Sequence, residues 1–469
     1  MPRRTDRSTF ASPPAVLPGF IHMPKHTIHR GTLLRLGLGF SMSIMFVTPA
    51  PLHGSLAVAG SADQSIPMIP ITRVSEVIHP PIDLDTADRF GCAVAASGQS
   101  IFIGNDGRRD GPPAAGVVTI HAAKGHEYIE THRLQSPESR PGDEFGAVLA
   151  VDDRLLVVGA PGMRTERGGA WVYRLTGDAW RLIGPVFVAG AASGDRFGES
   201  VSIGSDLILI GGPRADVGRL LDRGRVVVFR VEGDSIRHQG ELQPVQSATG
   251  LRFGTSIAVG DRIEVGSPGL DAPPPPNEED PIDRAGGVFR YESLTPHRLV
   301  AVLRRPQPDR LDRAGQSVVV ASSRVVMSAP RATLGAPRSG VITVFDRPPR
   351  ESGLPSGDEA GLGTMMATEA DLLAATIPGR RDPSGRIDPA VRLGVVDDRG
   401  FRPAVDLTGL GRPGGLQRIA IDDQGERLAI GVLPPSDGVP SAGVVHVVRI
   451  HRPERPAPIQ VPGVGAATP

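Results

Sequence analysis

Few residues in this 469-residue chain combine a reactive type with a reactive spacing. His22, His26 and His29 have the interval of metal ligands, yet they sit in a basic stretch that reads as part of a leader, so no metal site is assigned to them. Cys92 is the one cysteine, which rules out an intramolecular disulfide and any multi-cysteine metal site. It follows Phe90-Gly91 at the expected start of a strand and reads as a small buried apolar residue. Asn277-Glu278-Glu279-Asp280, after four prolines, gathers carboxylates but reads as a solvated loop. Gly409 to Gly414 fits the G-x-G-x-x-G pattern, but Pro413 lies inside it and no helix is expected after it, so no nucleotide site is assigned. The sequence contains no G-x-S-x-G, H-E-x-x-H or Walker pattern, and His79, His121, His126, His132, His238, His297, His446 and His451 are scattered.

The stronger chemical signal is arginine. Lysine occurs only at Lys25 and Lys124, and the loops expected on one face carry Arg108, Arg109, Arg164, Arg167, Arg214, Arg223, Arg331, Arg380 and Arg381. Guanidinium forks suit carboxylates, sulfates and phosphates, so these nine are the candidate ligand-binding residues. Asp106, Asp110, Glu166, Asp216, Asp222 and Asp382 are interspersed, and the competing reading is a solvated rim of mixed charge. Fifty-one basic residues balance fifty-one acidic ones, which removes a bulk attraction to nucleic acid or an acidic membrane.

The elements that must carry these loops emerge from self-comparison. Asp88-Arg89-Phe90-Gly91, Asp143-Glu144-Phe145-Gly146, Asp195-Arg196-Phe197-Gly198, Leu251-Arg252-Phe253-Gly254 and Asp312-Arg313-Ala314-Gly315 align, and weaker copies follow at Gly361-Leu362-Gly363 and Gly414-Gly415. The repeat glycines 91, 146, 198, 254, 315, 363 and 415 are spaced 48 to 61 residues apart. After each glycine comes an alternating run, a tight polar turn, and a second apolar run closed by a small residue and proline, as in Gly159-Ala160-Pro161 and Gly212-Pro213. A long loop then opens a third run, and a Gly-Asp turn such as Gly177-Asp178 introduces a fourth. Four short strands repeated seven times predict an all-β, seven-bladed β-propeller of four-stranded antiparallel blades over 71–450. The segment Ile71 to Ile78 resembles a fourth strand, so it is expected to complete the seventh blade and close the ring from the N-terminal side.

The pairing of Phe-Gly with Gly-Ala-Pro, cleanest at Phe145-Gly146 and Gly159-Ala160-Pro161, resembles the FG-GAP repeat of integrin α-subunit heads and of bacterial secreted proteins. The resemblance covers about 71–450, is strongest in copies two to four, and implies a propeller with an extracellular interaction role. Calcium-binding members carry an alternating carboxylate loop between the first and second strands. Here those turns are too short, as at Asp152-Asp153-Arg154 and Gly260-Asp261-Arg262, and the longest, Asp422 to Glu426, lacks the alternation; no calcium or other cofactor is expected.

Residues 1–59 read as a leader: a basic stretch, an apolar run from Leu36 to Val47, then Ala57-Val58-Ala59 as a small-residue cleavage pattern. A linker is expected over 60–70 and a Pro-rich tail over 451–469. The expected product is secreted, periplasmic or on the cell surface, a monomer without a transmembrane helix in its mature form. It would bind an extracellular protein or an anionic glycan, and not nucleic acid, through the long-loop face. A propeller hydrolase or lyase with a site at the channel mouth is the alternative, and converging His, Asp or Glu side chains would mark it.

Overall fold

The structure is a computed structural model; it describes residues 57–60, 69, 71–81, 89–107, 114–125, 127–138, 140–354, 360–410, 417–433 and 443–451. Seven antiparallel sheets follow one another along the chain, and no helix longer than the four-residue turn Met163–Glu166 occurs among the described residues. Blade 1 is Ala93–Ser97, Ser100–Asn105, Val117–Lys124 and Glu127–Leu134. Blades 2 to 6 repeat that meander over 148–186, 200–242, 256–303, 318–353 and 366–408.

Local sequence explains each hairpin. Ser200–Gly204 and Leu207–Gly212 pair across Ser205 and Asp206, which hold φ of 51° and 61°. Two consecutive left-handed residues form the tight turn whose twist matches that of the flanking strands. Ser322 and Ser323, at 47° and 61°, do the same in blade 5. The second strands are mostly apolar and buried, as in Leu207–Gly212, because each lies between two neighbouring sheets. The outer strands alternate between exposed and half-buried positions, as in Glu127–Leu134.

Blade 7 takes Gln417–Ile421, Arg427–Val432 and Val444–Ile450 from the end of the chain, and its outer strand is Ile71–Ile78. Ile71 pairs with Ile450 and Ile78 with Val445. The N-terminal strand therefore closes the ring where the sequence reading puts it. A further short strand, Ala57–Gly60, pairs antiparallel with Val405–Thr408 as a fifth strand of blade 6. The expected cleavage point falls within this strand, and most of the expected leader, much of the linker and the tail lie outside the described residues.

The repeat motif sits at the seams between blades. Phe145, Phe197 and Phe253 are fully buried, each packed among side chains of two consecutive blades. Phe90 fills the seam between blades 7 and 1, against Val94 and Ile101 on one side and Ala429 and Val445 on the other. The N–H of Gly146 donates to the Gly159 carbonyl at 3.1 Å, and Gly198 to Gly211 at 3.0 Å, tying each loop to its own second strand. A Cβ placed on Gly159 would stand 2.5 Å from the Gly198 carbonyl oxygen of the next blade, and one on Gly431 would stand 2.3 Å from that of Gly91. The same backbone approach thus recurs at the seam that closes the ring.

Candidate functional site

Two regions of the described structure could hold a ligand: the channel along the propeller axis and the face carrying the long loops. The channel wall consists of first strands, and alternation sends one set of their side chains inward. A cavity of about 340 Å³ runs along it, lined by aliphatic residues such as Ala95, Ala150, Ile257 and Val319, with Ser202 and Thr368 as the polar exceptions. It holds no titratable side chain. A wider cavity of about 500 Å³ opens toward the long loops and adds Glu199, Gln316 and Arg418 to apolar and hydroxyl side chains. Glu199 is committed there, accepting from Arg196 at 2.8 Å and lying 3.2 Å from Arg214.

At the opposite mouth the turns are short. Asp153 and Asp423 share a hydrogen bond that, with burial behind it, raises the Asp153 carboxyl above its ordinary value. Asp423 also accepts from the Gly98 N–H at 2.8 Å, which fastens blade 7 to the first turn of blade 1. Asp422 faces its own turn, accepting from the Glu426 N–H at 2.7 Å and the Arg427 guanidinium at 3.0 Å. Among the described residues no three His, Cys, Asp or Glu side chains group as metal ligands would. His121 is buried against the Thr119 hydroxyl at 3.1 Å, and desolvation holds its pKa below the usual value. Cys92 is buried with its thiol toward the Gly146 carbonyl at 3.6 Å, and burial pushes its pKa up to about 12, as a packing residue requires.

The long-loop face separates the nine arginines read from the sequence. Arg108 and Arg109 lie outside the described residues. Arg223 is buried, its guanidinium donating to the Pro244 carbonyl at 2.9 Å. Arg214 pairs with Glu199, Arg380 pairs with Asp388 at 2.9 Å, and Arg381 donates to the Gly385 carbonyl at 2.9 Å. Arg164 stacks its guanidinium 3.8 Å from the centre of the Phe187 ring. Arg167 and Arg331 are exposed, with no ion pair among the described residues. Asn277 to Asp280 are exposed on the longest loop of this face.

Three arginines absent from that sequence reading share this face. Arg252 and Arg313 immediately precede the seam residues Phe253 and Ala314, and Arg284 lies two residues before the Gly286 that packs on Ala314. Arg252 and Arg313 were hidden because the D-x-F-G segment reads as structural. Aligning its second position across copies, where Glu144, Arg196, Arg252 and Arg313 succeed one another, is the signal that finds these two; Arg284, in the loop before the third strand, has no such signal. Burial, then the charges of Arg331, Arg252 and Arg284, lower the pKa of Arg313. A comparison with protein-family models found no match, and a search of curated proteins found none either.

Proposed function

We propose that the chain is a secreted propeller of the FG-GAP type that binds its partner through the long-loop face and catalyses no reaction. One observation carries this reading: Arg167 and Arg331 stand exposed on the long-loop rim with no ion pair among the described residues, while the channel wall is aliphatic. Rigid blades holding irregular loops at one end form the usual arrangement of a recognition surface. The Phe-Gly and Gly-Ala-Pro copies, placed at the seams, support the family reading beside it. The expected partner is an extracellular protein or an anionic glycan, met by a monomer.

The test is a glycan and protein array probed with the full chain as its host exports it, after sequencing of its N-terminus. Capture that is lost on substitution of Arg167 and Arg331, and retained on substitution of Asp153 and Asp423, supports the reading. Capture with the opposite dependence, or turnover of an array ligand, overturns it.

A further inference from the structure

The same five repeat positions carry opposite net charge at two seams. Between blades 2 and 3 they are Glu144, Glu166, Arg196, Glu199 and Arg214. Arg196 is buried there and donates to all three glutamates, to Glu166 and Glu199 at 2.8 Å each, while Arg214 lies 3.2 Å from Glu199. Three acids against two bases leave this seam slightly negative and internally satisfied.

Between blades 4 and 5 the corresponding residues are Arg252, Arg284, Arg313, Gln316 and Arg331. The correspondence rests on backbone geometry. Glu144 and Arg196 hold φ of 58° and 53°, Arg252 and Arg313 hold 52° and 56°, and Glu166 and Arg284 hold 59° and 48°. The Arg196 N–H donates to the Glu166 carbonyl at 2.9 Å, as that of Arg313 does to Arg284 at 3.3 Å. The Glu199 N–H donates to Arg196 and that of Gln316 to Arg313, both at 3.2 Å. Gly168 bridges to Phe197 as Gly286 does to Ala314, and Arg214 and Arg331 each follow the proline that ends a second strand.

Every acid of the first seam is therefore an arginine or an uncharged glutamine in the second. Asp283 approaches Arg284 at 3.8 Å and is shared with Arg310 at 3.5 Å. The other nearby carboxylates are engaged: Asp271 accepts from the Arg284 N–H at 2.8 Å, and Asp312 from Arg305 and the Asp309 N–H. Among the described residues Arg252, Arg313 and Arg331 have no carboxylate within ion-pair distance. Burial and the three neighbouring charges together depress Arg313, which marks the cluster as short of negative charge.

We propose that the seam between blades 4 and 5 is an oxyanion site, in which Arg252, Arg284, Arg313 and Arg331 receive a tetrahedral oxyanion, a singly charged sulfate ester or a doubly charged phosphate monoester, where the sister seam holds its own glutamates. Planar guanidinium forks match that geometry and charge. This names the chemistry recognised by the long-loop face and so rests on the binding reading.

The experiment titrates inorganic sulfate and inorganic phosphate into the full chain by calorimetry, at ionic strength held constant with chloride. Saturable binding of either dianion is expected, with acetate weaker by about tenfold. Arg313→Gln with Arg252→Gln should weaken the dianion by about tenfold or more. Gln316→Glu, which restores the glutamate of the sister seam, should weaken it as much while raising the melting temperature. That second variant keeps the test decisive if the double variant fails to fold. No saturable binding, or unchanged affinity in Gln316→Glu, overturns the site. Array capture that depends on Arg167 yet survives Gln316→Glu overturns the site and leaves the binding reading standing, whereas dianion binding lost in Gln316→Glu with no long-loop capture does the reverse. Sulfated and phosphorylated oligosaccharides, run as separate arms, identify which ester is carried.

Discussion

The seams leading into blades 2, 3 and 4 and those leading into blades 5 and 6 solve one packing problem with different residues. In the first group a buried phenylalanine fills the gap and two glycines meet behind it: added Cβ atoms on Gly104, Gly159 and Gly211 would stand 2.0, 2.5 and 2.7 Å from the next blade's glycine carbonyl. At the seam into blade 5 the ring is gone, and Ala314 sits among Val288, Val325 and Met327. The glycines remain, with Gly266 held 2.1 Å from the Gly315 carbonyl by the same measure. At the seam into blade 6 Leu362 is the filler, and Ser328 occupies the second-strand place opposite Gly363. The loop N–H still finds its carbonyl, Gly315 on Ser328 and Gly363 on Thr376, both at 2.9 Å. Side-chain volume can be supplied from several directions, but a backbone contact this close tolerates almost nothing between its partners. The loop glycine, kept as Gly315 and Gly363 where the ring is lost, is a more fixed part of the motif than the phenylalanine, and its second-strand partner can be a serine.

The largest effect that probes this contrast is expected from Phe197→Ala. It should lose about 3–5 kcal/mol in urea unfolding, since a fully buried ring leaves a cavity between two sheets. Ala314→Phe should cost about 1–3 kcal/mol, because Met327 and its neighbours already occupy the space. A gain in stability there would show an unfilled gap and break the comparison. Gly266→Ala should cost about 1–3 kcal/mol by pushing blade 5 away, whereas Ser328→Ala should cost about 1 kcal/mol for a hydroxyl bonded to the Ser317 N–H at 3.1 Å. Equal losses at the two positions would mean that the close approach is not what the glycine protects.

A smaller effect distinguishes the closing blade from both groups. His446, opposite Val77 in the ladder to the N-terminal strand, has its pKa lowered by burial and then by His79. The unfolded chain takes up this proton near pH 6.5 and the folded chain resists it. Its contribution is therefore fully present above about pH 6.5 and is lost as pH falls through the lower folded value. Melts from pH 7.5 to 5 should show this slope, and His446→Gln should flatten it. Cys92, buried at the seam between blades 7 and 1, should stay silent to thiol reagents until that seam opens. The smallest expected effect is that of calcium: saturating ion should leave the melting midpoint unmoved, and a rise would reveal a specific site.

Blade count and ring closure are legible in the sequence because alternation and turn chemistry are local signals, and Ile71 to Ile78 carries the same alternation as its sister strands. The strand at Ala57–Gly60 is not, since its small residues equally suit a cleavage pattern and its pairing depends on the edge at Val405–Thr408. The arginines are the less legible part. Arg214 and Arg331 follow equivalent prolines, yet one is paired and the other has no ion pair among the described residues, because Glu199 in the third copy is Gln316 in the fifth. Composition counts such residues alike; only the fold, by bringing distant loops together at a seam, separates a spent charge from an open one.

One sheet takes three strands from the end of the chain and its fourth from near the beginning. The ring cannot shut until Val444–Ile450 has left the ribosome, so every shorter product is an arc in which the strand Ile71–Ile78 lacks its ladder partner. Synthesis thus leaves an interval in which that strand can pair with other chains, and any companion that shields nascent polypeptide has a defined task here: to cover it until the last strand arrives.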